Sequence, residues 1–121
     1  MRTRISAFAF TILVFIWLGA TGQLLCAEVS TRHVEIVAKR FAFVPAEVTL
    51  KKGEPVDLVL KSADVPHGLR FRDLNVEVNV GKGATREVHF VPNKTGTFTG
   101  HCSVFCGAGH GSMTLTLHVV D

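Results

Sequence analysis

Apolar and polar residues alternate through most of the chain after residue 28. The alternation is clearest in the last segment, Met113-Thr114-Leu115-Thr116-Leu117-His118-Val119. A period of two predicts a β-strand with one buried face. Similar β-rich runs occur at residues 33–37, 47–50, 56–60, 76–80 and 86–91, and Gly-Lys-Gly and Pro-Asn turns separate some of them. Since no amphipathic helix of useful length is predicted in this part, the pattern favours an all-β antiparallel sandwich or barrel.

The first 27 residues follow a different pattern. Arg2 and Arg4 precede an uncharged apolar run from Ile5 to Ala20, and Leu25-Cys26-Ala27 comes soon after it. This order is typical of a secretory signal, and the run is also long enough for a single membrane-anchor helix through residues 5–22. We therefore predict a signal peptide or membrane anchor at 1–27. Lipid attachment at Cys26 is a third alternative.

The remaining chain, residues 28–121, is predicted to be one exported domain. It would lie in the periplasm or be anchored to the outer face of the cytoplasmic membrane, because the basic N-terminus stays inside. The formal charge of the whole chain is +3, and Arg2 and Arg4 contribute two of these charges, so this domain carries +1. A near-neutral domain with interspersed charges gives no support to nucleic-acid binding.

One loop concentrates the soft side chains of the domain. Cys102, Cys106, His110 and Met113 lie within fourteen residues of a chain that has three cysteines and two methionines in all. Thiolate, thioether and imidazole together favour copper over magnesium, calcium or manganese, and a thioether is a poor ligand for zinc. The loop is therefore a candidate copper site.

The histidines divide into two groups. Strand parity places His33, His89 and His118 opposite the apolar face of their strands, so we expect them to be solvated. His67 instead stands between Pro66 and Gly68, and the pattern predicts a fixed, exposed loop position for it. It is the best candidate for the ligand that the cysteine loop lacks.

These residues form motifs that extend over nearly all of Val34 to Val120. They are Phe41-x-Phe43-x-Pro45, Lys52-Gly53-Glu54-Pro55-Val56, Ser62-x-Asp64-Val65-x-His67-Gly68 and Cys102-Ser103-x-x-Cys106-Gly107-x-x-His110-x-x-Met113. With them the domain resembles the cupredoxins, and among these the dicopper (CuA) domain of cytochrome c oxidase subunit II and of nitrous oxide reductase. The second cysteine separates this group from the blue copper proteins, which have one cysteine in the loop.

The resemblance implies a Greek-key β-sandwich that binds two copper ions and transfers single electrons. It implies that Cys102 and Cys106 bridge the ions, that His67 and His110 bind one ion each, and that Met113 and the Val104 carbonyl are weak ligands. The implied partner is a c-type cytochrome or a terminal oxidase or reductase. Oxidase subunits usually have a glutamate where Val104 stands, and that glutamate is associated with a magnesium site. Its absence weakens the placement of this chain in such a complex.

Other interpretations of the loop remain open at this stage. Cys102 and Cys106 could form a disulfide, because exported proteins meet oxidising conditions. The domain could also be a periplasmic copper chaperone or storage module, or a mononuclear copper carrier. Catalysis by the domain alone is not expected, since protein atoms fill every ligand position and catalysis at a metal needs an open one. It could still serve an oxidoreductase system such as a cytochrome c oxidase.

The aromatic residues and His101 carry weaker expectations. Phe41 and Phe43 are expected in the core, and Phe105 and Val104 are expected to keep water away from the metal. His101 adjoins Cys102, but strand parity turns it to the other side, towards the surface.

Overall fold

The computed structural model describes Gly22 and residues 28–121. The predicted signal or anchor at 1–27, the span at 5–22 and lipidation at Cys26 lie outside these residues, apart from Gly22. Within the described part, no helix has the length and apolar character needed to cross a membrane. The domain has nine strands: β1 Arg32–Lys39, β2 Ala42–Val44, β3 Glu47–Lys51, β4 Val56–Ser62, β5 His67–Phe71, β6 Val76–Val80, β7 Thr85–Phe90, β8 Gly96–His101 and β9 Thr114–Val120.

The strands form two sheets, which confirms the predicted all-β sandwich. The first sheet has the order β2-β1-β4-β7, and the second has the order β3-β9-β8-β5-β6. Most neighbours are antiparallel, but β1 pairs with β4 and β3 pairs with β9 in parallel. The expectation of a wholly antiparallel sheet was therefore wrong at these two pairs. The two strands of each parallel pair are not consecutive in the chain, and the connections between them cross over so that the second strand runs in the same direction as the first.

The core lies between the two sheets and follows the alternation in the sequence. On each strand the side chains of one parity face inward, as the two-residue period requires. The most deeply buried apolar residues, each at most 1% exposed, include Ile36, Leu58 and Leu60 from the first sheet and Leu69, Phe71, Leu115 and Leu117 from the second. The side chains of the other parity leave polar residues on both outer faces, and His33 and His89 are among them on the first sheet.

Strand pairing brings two distant segments together at one end of the second sheet. β5 runs antiparallel to β8, with Arg70 opposite His101. The start of β5 therefore lies beside the loop that follows β8, and the Ser103 amide donates to the Gly68 carbonyl at 3.3 Å. A Cβ atom on Gly68 would lie 2.2 Å from the Ser103 hydroxyl oxygen, so the glycine permits this close approach. His67 is thereby placed next to the cysteine loop.

Candidate metal centre

The loop between β8 and β9 is closed at its base and brings three sulfur atoms together. The Cys102 amide donates to the Met113 carbonyl at 3.2 Å, which ties the two ends of the loop. The Cys102 and Cys106 Sγ atoms are 3.7 Å apart, and Cys106 Sγ is 3.3 Å from Met113 Sδ. Both thiols are free and buried, and Met113 is completely buried. A disulfide has an S–S distance of about 2.05 Å, so no disulfide joins these cysteines.

His67 completes a compact donor set from the other side. One ring nitrogen of His67 and the Sγ atoms of Cys102 and Cys106 lie within 4.8 Å of one another. His67 is the first residue of β5 and is completely buried. The expectation of an exposed loop position was therefore wrong. The flanking Pro66 and Gly68 indicate a turn but give no information on whether His67 is buried. Its burial arises because the cysteine loop packs over the start of β5.

The two nitrogens of His67 have different environments. Nε2 donates to Asp64 Oδ1 at 2.6 Å, so Nδ1 carries the free lone pair. Nδ1 is buried and has no hydrogen-bond partner in the described part of the chain. An unsatisfied buried polar atom destabilises a fold by about 1–3 kcal/mol. An imidazole held by a carboxylate through its other nitrogen is the usual arrangement of a metal ligand. The residues present therefore fit a metal that prefers sulfur and imidazole.

Two further predicted residues border this set. His110 Nδ1 is 3.7 Å from Cys106 Sγ, and the His110 side chain is partly exposed. The Val104 carbonyl oxygen accepts from the Cys102 thiol, with 3.1 Å between oxygen and sulfur. The other four predicted site residues thus lie around the two thiols. His101 is exposed at the end of β8, on the outer side, as strand parity predicted.

Asp64 and Arg40 support this arrangement, and neither was singled out from the sequence. Asp64 accepts hydrogen bonds from the Val65 amide at 2.6 Å and the Arg40 amide at 2.8 Å, besides that from His67. The Arg40 side chain donates from Nε to the Cys106 carbonyl at 3.0 Å. Arg40 thus connects the carboxylate that holds His67 to the loop that carries the cysteines. The Asp-Val-x-His motif was a signal for Asp64, whereas Arg40 has no local signal.

The charges of the site respond to these contacts in opposite directions. Burial raises the pKa of Asp64, but hydrogen bonds from Arg40, His67 and Val65 outweigh it and lower that pKa from 3.8 to about 2. Burial, together with the adjacent Cys102 sulfur, raises the pKa of the Cys106 thiol from 9.0 to about 11. The carboxylate is therefore charged at neutral pH, and the Cys106 thiol keeps its proton until a cation displaces it.

The aromatic residues differ from the expectations. Phe43 is in the core, as predicted, but Phe41 is 39% exposed and covers the cysteine loop. A Cβ atom on Gly109 would lie 2.4 Å from the Phe41 ring, so the ring rests directly on the glycine backbone. Phe105 is 79% exposed, and its ring centroid is 5.7 Å from that of His110. Phe105 therefore does not shield the thiols from water, because its side chain points from the loop into solvent.

Comparison with known proteins agrees with this geometry. The family model for cupredoxin-like domains matches residues 8–115. A probable cytochrome c oxidase subunit 2 from Streptomyces coelicolor is 38% identical over 72 residues, which is 60% of this chain and 23% of that protein. A nitrous-oxide reductase from Cupriavidus necator is 38% identical over 84 residues, which is 66% of this chain and 13% of that protein. The chain thus spans less than a quarter of either relative.

A solved structure extends the likeness to the fold. The periplasmic domain of subunit II of cytochrome oxidase from Bradyrhizobium japonicum superimposes with a TM-score of 0.68 at 21% identity. The match covers 74% of this chain and 84% of that domain. At this identity the superposition establishes the sandwich architecture.

Proposed function

We propose that this chain, which belongs to the family of cupredoxin-like domains, is a copper protein that transfers single electrons through a dicopper centre. One observation carries the proposal: two buried thiols 3.7 Å apart face a buried histidine nitrogen that has no protein partner among residues 28–121. A mononuclear blue copper site uses one cysteine, so the second thiol at this distance is the distinguishing feature.

The resemblance to the dicopper domains assigns the residues that would hold the metal, and their donor atoms fit that assignment. Cys102 and Cys106 would bridge two copper ions, His67 Nδ1 and His110 Nδ1 would each bind one, and Met113 and the Val104 carbonyl would be weak ligands. When bound, the copper pair would supply one-electron oxidation and reduction. Thiolate and thioether suit Cu(I), and imidazole serves both oxidation states.

The chain's own part is to keep these donors in place. The Cys102 amide and the Met113 carbonyl join the loop ends, and strands β8 and β9 hold them. Asp64 fixes the His67 ring, and Arg40 fixes the Cys106 carbonyl. Burial of His67, Met113 and both thiols keeps these four donors away from bulk water, whereas His110 is partly exposed. Rigid, dry ligands move little between oxidation states, and small movement is what fast electron transfer requires.

The electron would reach a partner through the loop end of the domain. His110 is the proposed ligand nearest the surface, and the exposed Phe105 ring lies against it. We propose that a redox protein, such as a c-type cytochrome or a terminal oxidase or reductase, contacts this end. Residues 1–27 would direct the domain to the periplasm or anchor it to the outer face of the membrane. The domain has no proposed catalysis of its own and would serve such an oxidoreductase.

The test is copper stoichiometry with electron paramagnetic resonance on residues 28–121 loaded with copper. Two ions per chain, with the unpaired electron shared by both nuclei, are expected. His67→Asn and Cys106→Ser should each abolish the shared signal. His101→Asn is the matched control, because His101 adjoins Cys102 but lies on the outer side.

Two results would contradict the proposal. One copper per chain, with hyperfine structure from a single nucleus, would indicate a mononuclear carrier. Copper that exchanges rapidly with a small chelator would indicate a chaperone or storage module, since a closed site releases its metal slowly.

A further inference from the structure

The outer face of the first sheet carries a second group of metal-binding side chains, far from the cysteine loop in sequence. His33 on β1, Asp57 on β4 and His89 on β7 lie side by side across three neighbouring strands. The register pairs His33 with Asp57 and Asp57 with His89. Residues paired in this way on one face have side chains close enough to interact. The sequence alone indicated only two unrelated solvated histidines.

Both imidazole rings are turned to the same carboxylate. His33 Nδ1 is 3.4 Å from Asp57 Oδ2, and His89 Nδ1 is 2.5 Å from Asp57 Oδ1. The Asp57 side chain is only 14% exposed, whereas His33 and His89 are 72% and 59% exposed. The carboxylate is therefore held in place by the sheet, and the two rings are free to adjust around it.

Two more carboxylates lie on the same face of the sheet, two residues further along the strands. Glu35 and Glu87 both pair with Val59, which is two residues after Asp57 and so points to the same side. With Asp57 they give three acidic side chains beside two imidazoles. This charge favours a cation over an anion at the histidine pair.

We propose that His33, Asp57 and His89 form a second metal site, which binds one divalent transition-metal ion such as Cu(II) or Zn(II). Two imidazoles and a carboxylate are a common ligand set for these ions. Two ligand atoms of one tetrahedral ion are about 3.3 Å apart when the bonds are 2.0–2.1 Å. The separation of 3.4 Å between His33 and Asp57 is close to this distance. The three donor atoms do not all lie within 4.8 Å of one another, so binding requires the exposed His33 and His89 rings to turn towards a common point beside Asp57.

The two sites should differ in the oxidation state they accept. The sheet-face site has a carboxylate and no sulfur, so it should favour Cu(II) or Zn(II) over Cu(I). The cysteine loop offers three sulfur atoms and should retain Cu(I). Cu(II) should bind more tightly than Zn(II) at the sheet face, because affinity for a nitrogen and oxygen site follows that order.

The test isolates the sheet-face site in the full chain. In the double-serine variant Cys102→Ser/Cys106→Ser, which lacks both thiols of the loop and keeps Cys26, titration with Zn(II) and with Cu(II) should show one bound ion. Adding His33→Asn and His89→Asn should weaken that binding at least about tenfold, because two of three ligands are lost. His118→Asn is the matched control. His118 is also a strand histidine near a carboxylate, 3.9 Å from Glu47, but no second imidazole stands with it.

Three outcomes would overturn the proposal. They are no binding in the double-serine variant, equal binding after removal of both histidines, and an equal loss in the His118 control. If the double-serine variant does not fold by circular dichroism, the copper-loaded wild type gives the same answer. Added Cu(II) should then produce a signal split by nitrogen nuclei, and this signal should be absent in His33→Asn/His89→Asn. Because the double-serine variant is used first, failure of the dicopper proposal leaves this test unchanged.

Discussion

Replacing Asp64 by alanine should destabilise the metal-free domain and weaken its hold on copper. Asp64 accepts three hydrogen bonds, from the Arg40 and Val65 amides and from His67 Nε2, all between 2.6 and 2.8 Å. Water can replace Asp64 as the acceptor for the Arg40 and Val65 amides, because these two hydrogen bonds are at most partly buried. Water cannot reach His67, which is completely buried. Its Nε2–H would lose the sole acceptor that the described residues provide.

The size of the effect follows from these contacts. Leaving a buried donor unsatisfied costs about 1–3 kcal/mol, and hydrogen bonds to a charged group contribute more than neutral ones. We expect Asp64→Ala to lower the free energy of unfolding by about 3 kcal/mol, out of roughly 5–15 kcal/mol for a domain of this size. The melting temperature should fall by about 12–24 °C. Copper affinity should fall about 10–100-fold, because the His67 ring is no longer held.

Part of this contribution depends on pH. The pKa of Asp64 is lowered in the fold from 3.8 to about 2, so the carboxylate stabilises the fold fully above pH 4. That stability is lost as the pH falls towards 2. The lowering corresponds to about 2.4 kcal/mol, which we reduce to roughly 1 kcal/mol because solvent screens a side chain that is 34% exposed. The free energy of unfolding of the wild type should therefore exceed that of Asp64→Ala by about 1 kcal/mol less at pH 2 than at pH 4.

The assay is urea unfolding of the reduced, metal-free protein at several pH values, followed by copper titration. Asp64→Asn should lose only about 1–2 kcal/mol, because its amide oxygen still accepts from His67 while its NH2 group opposes the Arg40 amide. Asp73→Ala is the control, since Asp73 is an exposed acid in the Arg72–Leu74 turn. A loss below about 0.5 kcal/mol in Asp64→Ala, the size of an ordinary surface substitution, would show that Asp64 does not stabilise the buried His67 ring.

Three further predictions follow from single contacts. Gly100→Ala should lower the free energy of unfolding in urea by about 1–3 kcal/mol, because its Cβ would lie 2.6 Å from the buried Phe71 ring. Gly111→Ala is the control: its Cβ would meet open space, so the free energy of unfolding should change little. Alkylation of Cys106 by iodoacetamide in the metal-free protein should be slow at pH 7 and should accelerate towards pH 11; fast reaction at pH 7 would contradict the raised pKa of about 11. Phe105→Ala should leave stability within about 0.5 kcal/mol, since the ring is 79% exposed, but should slow electron exchange with a redox partner in stopped-flow measurements. An unchanged rate would place the contact surface elsewhere.

The sequence was informative wherever the relevant physics is local. Strand alternation has a period of two residues, so the inward face of β9 and the outward position of His118 could be read directly. The cysteine loop is contiguous, so its donor chemistry was evident from Cys102 to Met113. Three strands were not among the predicted runs: β2 has only three residues, and glycines interrupt the apolar pattern of β5 and β8.

Contacts between distant segments needed the tertiary structure. The Arg40 side chain reaches the Cys106 carbonyl across 66 positions of sequence, and the Arg40 amide reaches Asp64 across 24. No local pattern encodes such a pairing, because it depends on how β1 and β5 approach the loop after β8. The burial of His67 and the place of Phe41 over Gly109 have the same origin.

The histidines show this division most plainly. Residue type and short spacing were enough to predict the β-sandwich, the family resemblance and a loop whose sulfur and imidazole donors favour copper. Which side chains meet could be seen only in the folded domain: His67 with the thiols, and His33 with His89 around Asp57. The physical reason is that strand pairing and the loops it positions bring residues 24 to 39 positions apart within a few ångströms, and the register that does so is set by the packing of the whole core.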